Sequence, residues 1–141
     1  MPDTFLSRRP NIFLIILAIG GIWFYKSSFC LKEIQTNAPY KIKYIEKVFG
    51  NSSGREKLPM VIVLHGAGAN ERNLLGLFPP MGINIRVISL RAPFQDGFGY
   101  NWGLTTWGAT YDEAKEKSYK IFKDVGLSIA NSIDKLEQRY P

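Results

Sequence analysis

The residues best placed to do chemistry lie in Leu64-His65-Gly66-Ala67-Gly68-Ala69-Asn70, a glycine-rich turn between an apolar run and a helix-like start. Glycines there permit positive φ and leave backbone N–H groups uncovered, and such groups at a helix N-terminus attract anions. Three chemistries fit. A dinucleotide fingerprint, G-x-G-x-x-G, is matched at Gly66 and Gly68, but its third position is Glu71, whose carboxylate would repel a pyrophosphate. Arg91 could then serve only a 2′-phosphate, as in an NADP-binding Rossmann fragment. A purely structural turn would leave His65 bonded to a loop carbonyl. An oxyanion hole would aim one backbone N–H at the charge that develops during acyl transfer.

The remaining parts of an acyl-transfer site are missing from these residues. A serine hydrolase built this way needs a G-x-S-x-G elbow, then an acid, then a histidine base, in that chain order. No G-x-S-x-G occurs, and His65 is the only histidine. The nearest candidate, Ser128 in Gly126-Leu127-Ser128-Ile129-Ala130, has alanine for the second glycine and lies in a helical pattern. The single cysteine excludes an internal disulfide or a multi-cysteine zinc site. No metal and no cofactor are expected.

Beyond this turn the residues bring in a resemblance. Val61 to Glu71 followed by Leu74-Leu75, then Val87-Ile88-Ser89-Leu90-Arg91-Ala92-Pro93-Phe94, then Gly97-Phe98-Gly99-Tyr100-Asn101-Trp102, stand in that order and at that spacing. Together they resemble the phospholipase/carboxylesterase family of α/β-hydrolases, over about Tyr40 to Pro141. The resemblance implies that the Ala67 N–H is an oxyanion donor. It also implies that His65, Gly66 and Gly68 form the architecture of that loop, and that Gly99, Tyr100 and Trp102 flank the substrate pocket. Packing of Tyr100 and Trp102 over the sheet edge is an equal alternative.

Elements must position these groups. Tyr40 to Phe49 alternates as a half-exposed strand. Met60 to Leu64 is continuously apolar, as in a strand covered on both faces, and Ile85 to Leu90 reads as another strand. A short helix is expected from Asn70 or Asn73 to Phe78, ended by Pro79-Pro80, and a long loop over Phe94 to Thr110. Ala114, Ser118, Phe122, Val125, Ile129, Ile133 and Leu136 form one stripe of a helix from Asp112 to about Gln138. These elements predict an α/β class, a partial α/β-hydrolase three-layer sandwich of about three strands, one short and one long helix.

The N-terminal residues read differently. Arg8-Arg9 followed by the apolar run Ile12 to Tyr25 has the pattern of a signal peptide or anchor helix. Residues 1–30 are therefore expected to be a membrane-directed segment, and 31–141 an extracytoplasmic domain. Cys30, after Ser28-Phe29, has a lipoprotein-like position that the bulky Phe29 argues against. The net charge of +6 comes from 18 basic residues spread among 12 acidic ones. That is a solvated surface, and no nucleic-acid partner is expected.

The expectation is thus the N-terminal part of a serine hydrolase acting on carboxylic esters or thioesters, of small molecules or lipids, and inactive alone. An alternative is a membrane-anchored interaction module. With no nucleophile strand, strand 60–64 would be a bare apolar edge, ready to pair with another chain.

Overall fold

A computed structural model describes residues 12–16, 30–103 and 110–140. Within them, β1 (Ile12–Ile16), β2 (Lys32–Ile34), β3 (Ile42–Phe49), β4 (Met60–Leu64) and β5 (Ile85–Arg91) form one sheet in the order β1-β4-β5-β3-β2. β4 is parallel to both β1 and β5, whereas β3 runs antiparallel to β5 and to β2. A second sheet is the short hairpin of β6 (Phe94–Asp96) and β7 (Gly99–Asn101), and α1 (Tyr111–Arg139) closes the described chain.

β4 and β5 lie inside the sheet, and nearly every residue in them is buried, Arg86 and Ser89 included. On one face Ile34, Ile42, Tyr44, Met60, Ile62, Ile88 and Leu90 pack with Leu136, Ile129 and Ile133 of α1. On the other, Ile45, Val61, Val63, Ile85 and Val87 meet Leu74, Leu75 and Phe78 from the β4–β5 connection. A capping box between Thr110 and Glu113 starts α1, satisfying N–H groups that a helix end leaves unpaired.

The structure corrects the expected three-layer α/β plan. Among the described residues most elements are strands, and α1 is the one α-helix, packed on one face of the sheet. The connection expected to hold a short helix forms two 3₁₀ turns, Leu75–Leu77 and Pro79–Met81. Pro79 and Pro80 lack the N–H groups that an α-helix would need there, and Gly82 follows with φ 64°. Phe94 to Asn101, expected as loop, contains the β6–β7 hairpin, while 104–109 lie outside the described residues. β2 was not anticipated.

The expected N-terminal anchor helix is also overturned. Ile12–Ile16 is a strand, and among the described residues no helix is long and apolar enough to cross a membrane. Residues 17–29, including the rest of the apolar run, lie outside the described ones. Physically, Ile12, Phe13, Ile15 and Ile16 are β-favouring residues, and an edge of unpaired β4 backbone groups is a template for just such a segment. The register runs Ile12 opposite Met60 to Ile16 opposite Leu64. The β4 edge expected to lie bare is therefore taken by the same chain.

Inside α1 the buried stripe is Ile121, Val125, Ser128, Ser132 and Leu136, shifted from the expected one. Phe122, placed on that stripe by spacing, is 57% exposed. It lies in the half of the helix whose neighbouring residues Glu116, Lys117, Tyr119 and Lys120 also face solvent.

Candidate functional site

The His-Gly turn leaves the C-terminal end of β4, and its strand of origin fixes His65 in the protein interior, 3% exposed. Both ring nitrogens are committed. Nε2 accepts the Ala92 N–H at 3.2 Å, which is possible only if that nitrogen carries no proton. Nδ1 then bears the proton and donates to the Gly66 carbonyl at 2.8 Å. The imidazole ties the end of β4 to the end of β5 and to its own turn. Burial pushes its pKa below the ordinary 6.5, against smaller opposing pulls from the Gly66 carbonyl and the Glu71 charge.

The protonation state of this lone histidine is directly measurable. Its ring should show the neutral Nδ1–H form at pH 7 in a long-range ¹H–¹⁵N spectrum and titrate below the ordinary 6.5, and a midpoint at or above 6.5 would contradict these contacts. The linkage has a definite sign. The unfolded chain takes up a proton near pH 6.5 that the folded chain refuses, so His65 makes stability fall as pH drops from about 7 toward the lowered folded pKa.

Next along the turn, Gly68 has φ 74°, a conformation that favours glycine. Two of the turn's N–H groups are spent internally: Ala69 N–H on Gly66 O at 3.2 Å, and Gly68 N–H on Tyr100 O at 3.1 Å. Tyr100 N–H returns a bond to Ala69 O at 2.8 Å, so β7 is stitched to the turn. No backbone carbonyl among the described residues takes the Ala67 N–H. Ala67 and Gly68 are exposed.

The three residues expected to flank a pocket all grip this turn. Gly99 is buried, and a Cβ on it would lie 2.8 Å from Ala69 O and closer still to Gly68 O, so β7 can approach only with glycine there. Trp102 donates its indole N–H to His65 O at 2.8 Å and lays its ring 5.2 Å from the imidazole. The Tyr100 hydroxyl accepts from Arg91 Nη1 at 3.1 Å, and the Arg91 guanidinium sits 4.5 Å from the Tyr100 ring centre.

Sequence reasoning missed the pair that anchors this arrangement. Glu71, 2% exposed, receives a two-pronged bond from Arg91, Nε to Oε2 at 2.6 Å and Nη2 to Oε1 at 2.7 Å. This fork geometry is the strong form of a charge-assisted contact. Burial alone would raise the Glu71 pKa, but the Arg91 bonds and charge outweigh it and hold the carboxyl below its ordinary range. Both residues stand in the quoted motifs, at the turn and at the end of the following strand. An acid in the turn and an arginine at the neighbouring strand end was the available signal.

Ser128 is firmly occupied elsewhere. Its Oγ accepts from Tyr40 N–H at 3.1 Å and donates to Asp124 O at 2.8 Å, inside α1 and fully buried. Among the described residues no group of His, Cys, Asp or Glu could hold a metal ion. Taken together, the locked turn can offer a fixed N–H donor to an anion, and no described residue near it offers a nucleophile or a free base. No protein-family model, curated protein or solved structure matches the chain.

Proposed function

We propose that this chain carries the oxyanion-loop portion of a carboxylic-ester or thioester hydrolase of the phospholipase/carboxylesterase type. The observation that carries the reading is the Ala67 N–H, which no backbone carbonyl among the described residues takes, beside the engaged N–H groups of Gly68 and Ala69. Its support comes from three sides: His65 from below, the Glu71–Arg91 pair behind, and Gly99 to Trp102 alongside. Such preorganisation is what an oxyanion donor requires, because a donor already in place costs nothing to reorient as charge appears.

In this reading a serine Oγ attacks the ester carbonyl while a histidine takes the serine proton. The carbonyl oxygen becomes an oxyanion and accepts from Ala67 N–H. The alcohol or thiol then leaves with the proton, and water releases the acid in a second, equivalent step. In this reading the triad serine, acid and base come from outside these residues, since no G-x-S-x-G occurs and the one histidine has both nitrogens committed. His65 is a positioning residue. Removing a single oxyanion donor typically lowers kcat about 10²–10³-fold, which sets the scale of what this turn would contribute.

An assay tests this division of labour. The 141-residue chain should hydrolyse p-nitrophenyl butyrate no faster than the same sample treated with a serine-reactive fluorophosphonate, and should gain no adduct mass. Turnover abolished by that reagent, with a labelled serine in this chain, would overturn the assignment of the nucleophile to other residues.

A further inference from the structure

We propose that a second site, a cleft at the opposite end of β5 from the His65 turn, binds a small phosphate monoester through its dianionic phosphate group. The cleft encloses about 430 Å³ between Glu46, the Gly54–Lys57 segment, Arg86, Arg139 and Tyr140. Arg86 and Arg91 are five residues apart on one strand, so the two sites are separated by roughly 17 Å.

Its floor is a buried cation held rigid. The Arg86 side chain is 5% exposed, bonds through Nε to Glu46 at 3.0 Å and through Nη2 to the Gly54 carbonyl, and stacks 4.4 Å from the Tyr140 ring centre. Its remaining nitrogen, Nη1, has no hydrogen-bond partner recorded among the described residues, on a guanidinium that lines the cleft. A fixed fork of this kind matches the geometry of a phosphate.

Charge around the rim favours an anion. Four cations, Arg55, Lys57, Arg86 and Arg139, face two carboxylates, Glu46 and Glu56. Glu46 is consumed by Arg86, by Lys32 at 2.6 Å and by the Tyr140 hydroxyl at 2.6 Å. Glu56 turns into its own loop, where bonds from Ser52 and Ser53 hold its pKa at about 2. Among the described residues, Arg55, Lys57 and Arg139 have no carboxylate partner, and Arg139 donates to the Tyr44 hydroxyl at 2.7 Å. The surplus charge therefore has no counterion among the described residues, and a compact dianion answers it. The volume suits one phosphorylated small molecule rather than a polymer backbone.

This inference does not depend on the esterase reading. The test titrates inorganic phosphate into the ¹⁵N-labelled 141-residue chain at pH 7.5, with sodium chloride holding ionic strength constant. Saturable shifts confined to the Gly54–Lys57 amides and the Arg86 Nε–H are expected. In the K57Q/R139Q double variant, whose altered side chains lie at the exposed rim, binding should weaken at least about tenfold, the loss of one charge-assisted hydrogen bond. Unchanged spectra away from the cleft certify its fold. Shifts reproduced by chloride alone, shifts scattered over the surface, or undiminished binding by the double variant would each overturn the proposal.

Discussion

Replacing Gly99 with alanine should detach β7 from the His65 turn and cost the domain about 3 kcal/mol, the upper end for forcing a methyl into packed structure. The upper end applies because the obstacles are the carbonyls of Gly68 and Ala69, which are backbone and cannot rotate aside as a side chain would. Relief requires breaking the reciprocal bonds between Gly68 N–H and Tyr100 O and between Tyr100 N–H and Ala69 O. Trp102 would then lose its position over His65. Urea unfolding should show a lower midpoint with an unchanged slope, and the Gly68 and Tyr100 amides should lose hydrogen-exchange protection. Gly76 is the control: a Cβ there meets nothing within 4 Å and its φ is not positive, so G76A should leave the midpoint nearly unmoved.

A loss of similar size is expected from Glu71. Truncating one partner of a buried ion pair strands the other charge, at about 3–5 kcal/mol. Arg91 retains 21% exposure, which lets water reach the stranded guanidinium and sets E71A near the lower end of that range. Even so, the loss is a large share of the roughly 5–15 kcal/mol that holds a typical domain together. Replacing both partners with apolar residues of similar size, as in E71L/R91M, should cost less than E71A, because no charge is left unpaired. The pair also gives stability an acid limb. Glu71 has its folded pKa below the ordinary 4.5, so its contribution is full above that value and disappears as pH falls through the folded one. E71Q should flatten that limb, as read from unfolding midpoints between pH 3 and 6. Glu46, also lowered through Lys32 and Tyr140 against its burial, shares the part that E71Q leaves with Glu56 and Glu113, whose carboxyls are lowered by hydrogen bonds.

Much of the sheet was legible because its central strands carry an unambiguous pattern. Met60 to Leu64 is apolar without interruption, a run that a two-faced strand buries, and Ile85 to Leu90 is strand-like with only Arg86 and Ser89 polar. The long helix was legible from its spacing. Its buried face was not fully so, because Phe122 fits the helical period yet lies away from the core, and periodicity does not say how far the sheet extends under a helix. The N-terminal strand was misread for a related reason. An apolar run such as Ile12 to Tyr25 satisfies a bilayer or a sheet edge equally well, and the choice depends on whether an unpaired β4 edge is available in the same molecule.

At the candidate site, the turn was found from glycine spacing, whereas its supports were not. The resemblance makes Gly99, Tyr100 and Trp102 pocket-flanking residues, with packing over the sheet edge an equal alternative for the two aromatics. Their contacts run to Gly68, Arg91 and His65. A motif fixes which residues are neighbours, but the direction in which a side chain spends its hydrogen bonds depends on the strand pairing. The Glu71–Arg91 pair was hidden for the same reason, since twenty residues separate two groups that the parallel β4–β5 pairing brings to one end of the sheet.

The central claim is that the Ala67 N–H is an open, preorganised anion donor, and one titration addresses it most directly. Butyrate, the carboxylate product of a short ester, is added to the ¹⁵N-labelled chain while the amides of Ala67, Gly68 and Ala69 are followed. The account predicts a saturable downfield shift at Ala67, with Gly68 and Ala69 nearly still because their N–H groups are already engaged. An unmoved Ala67 amide, or three amides moving together, would contradict it.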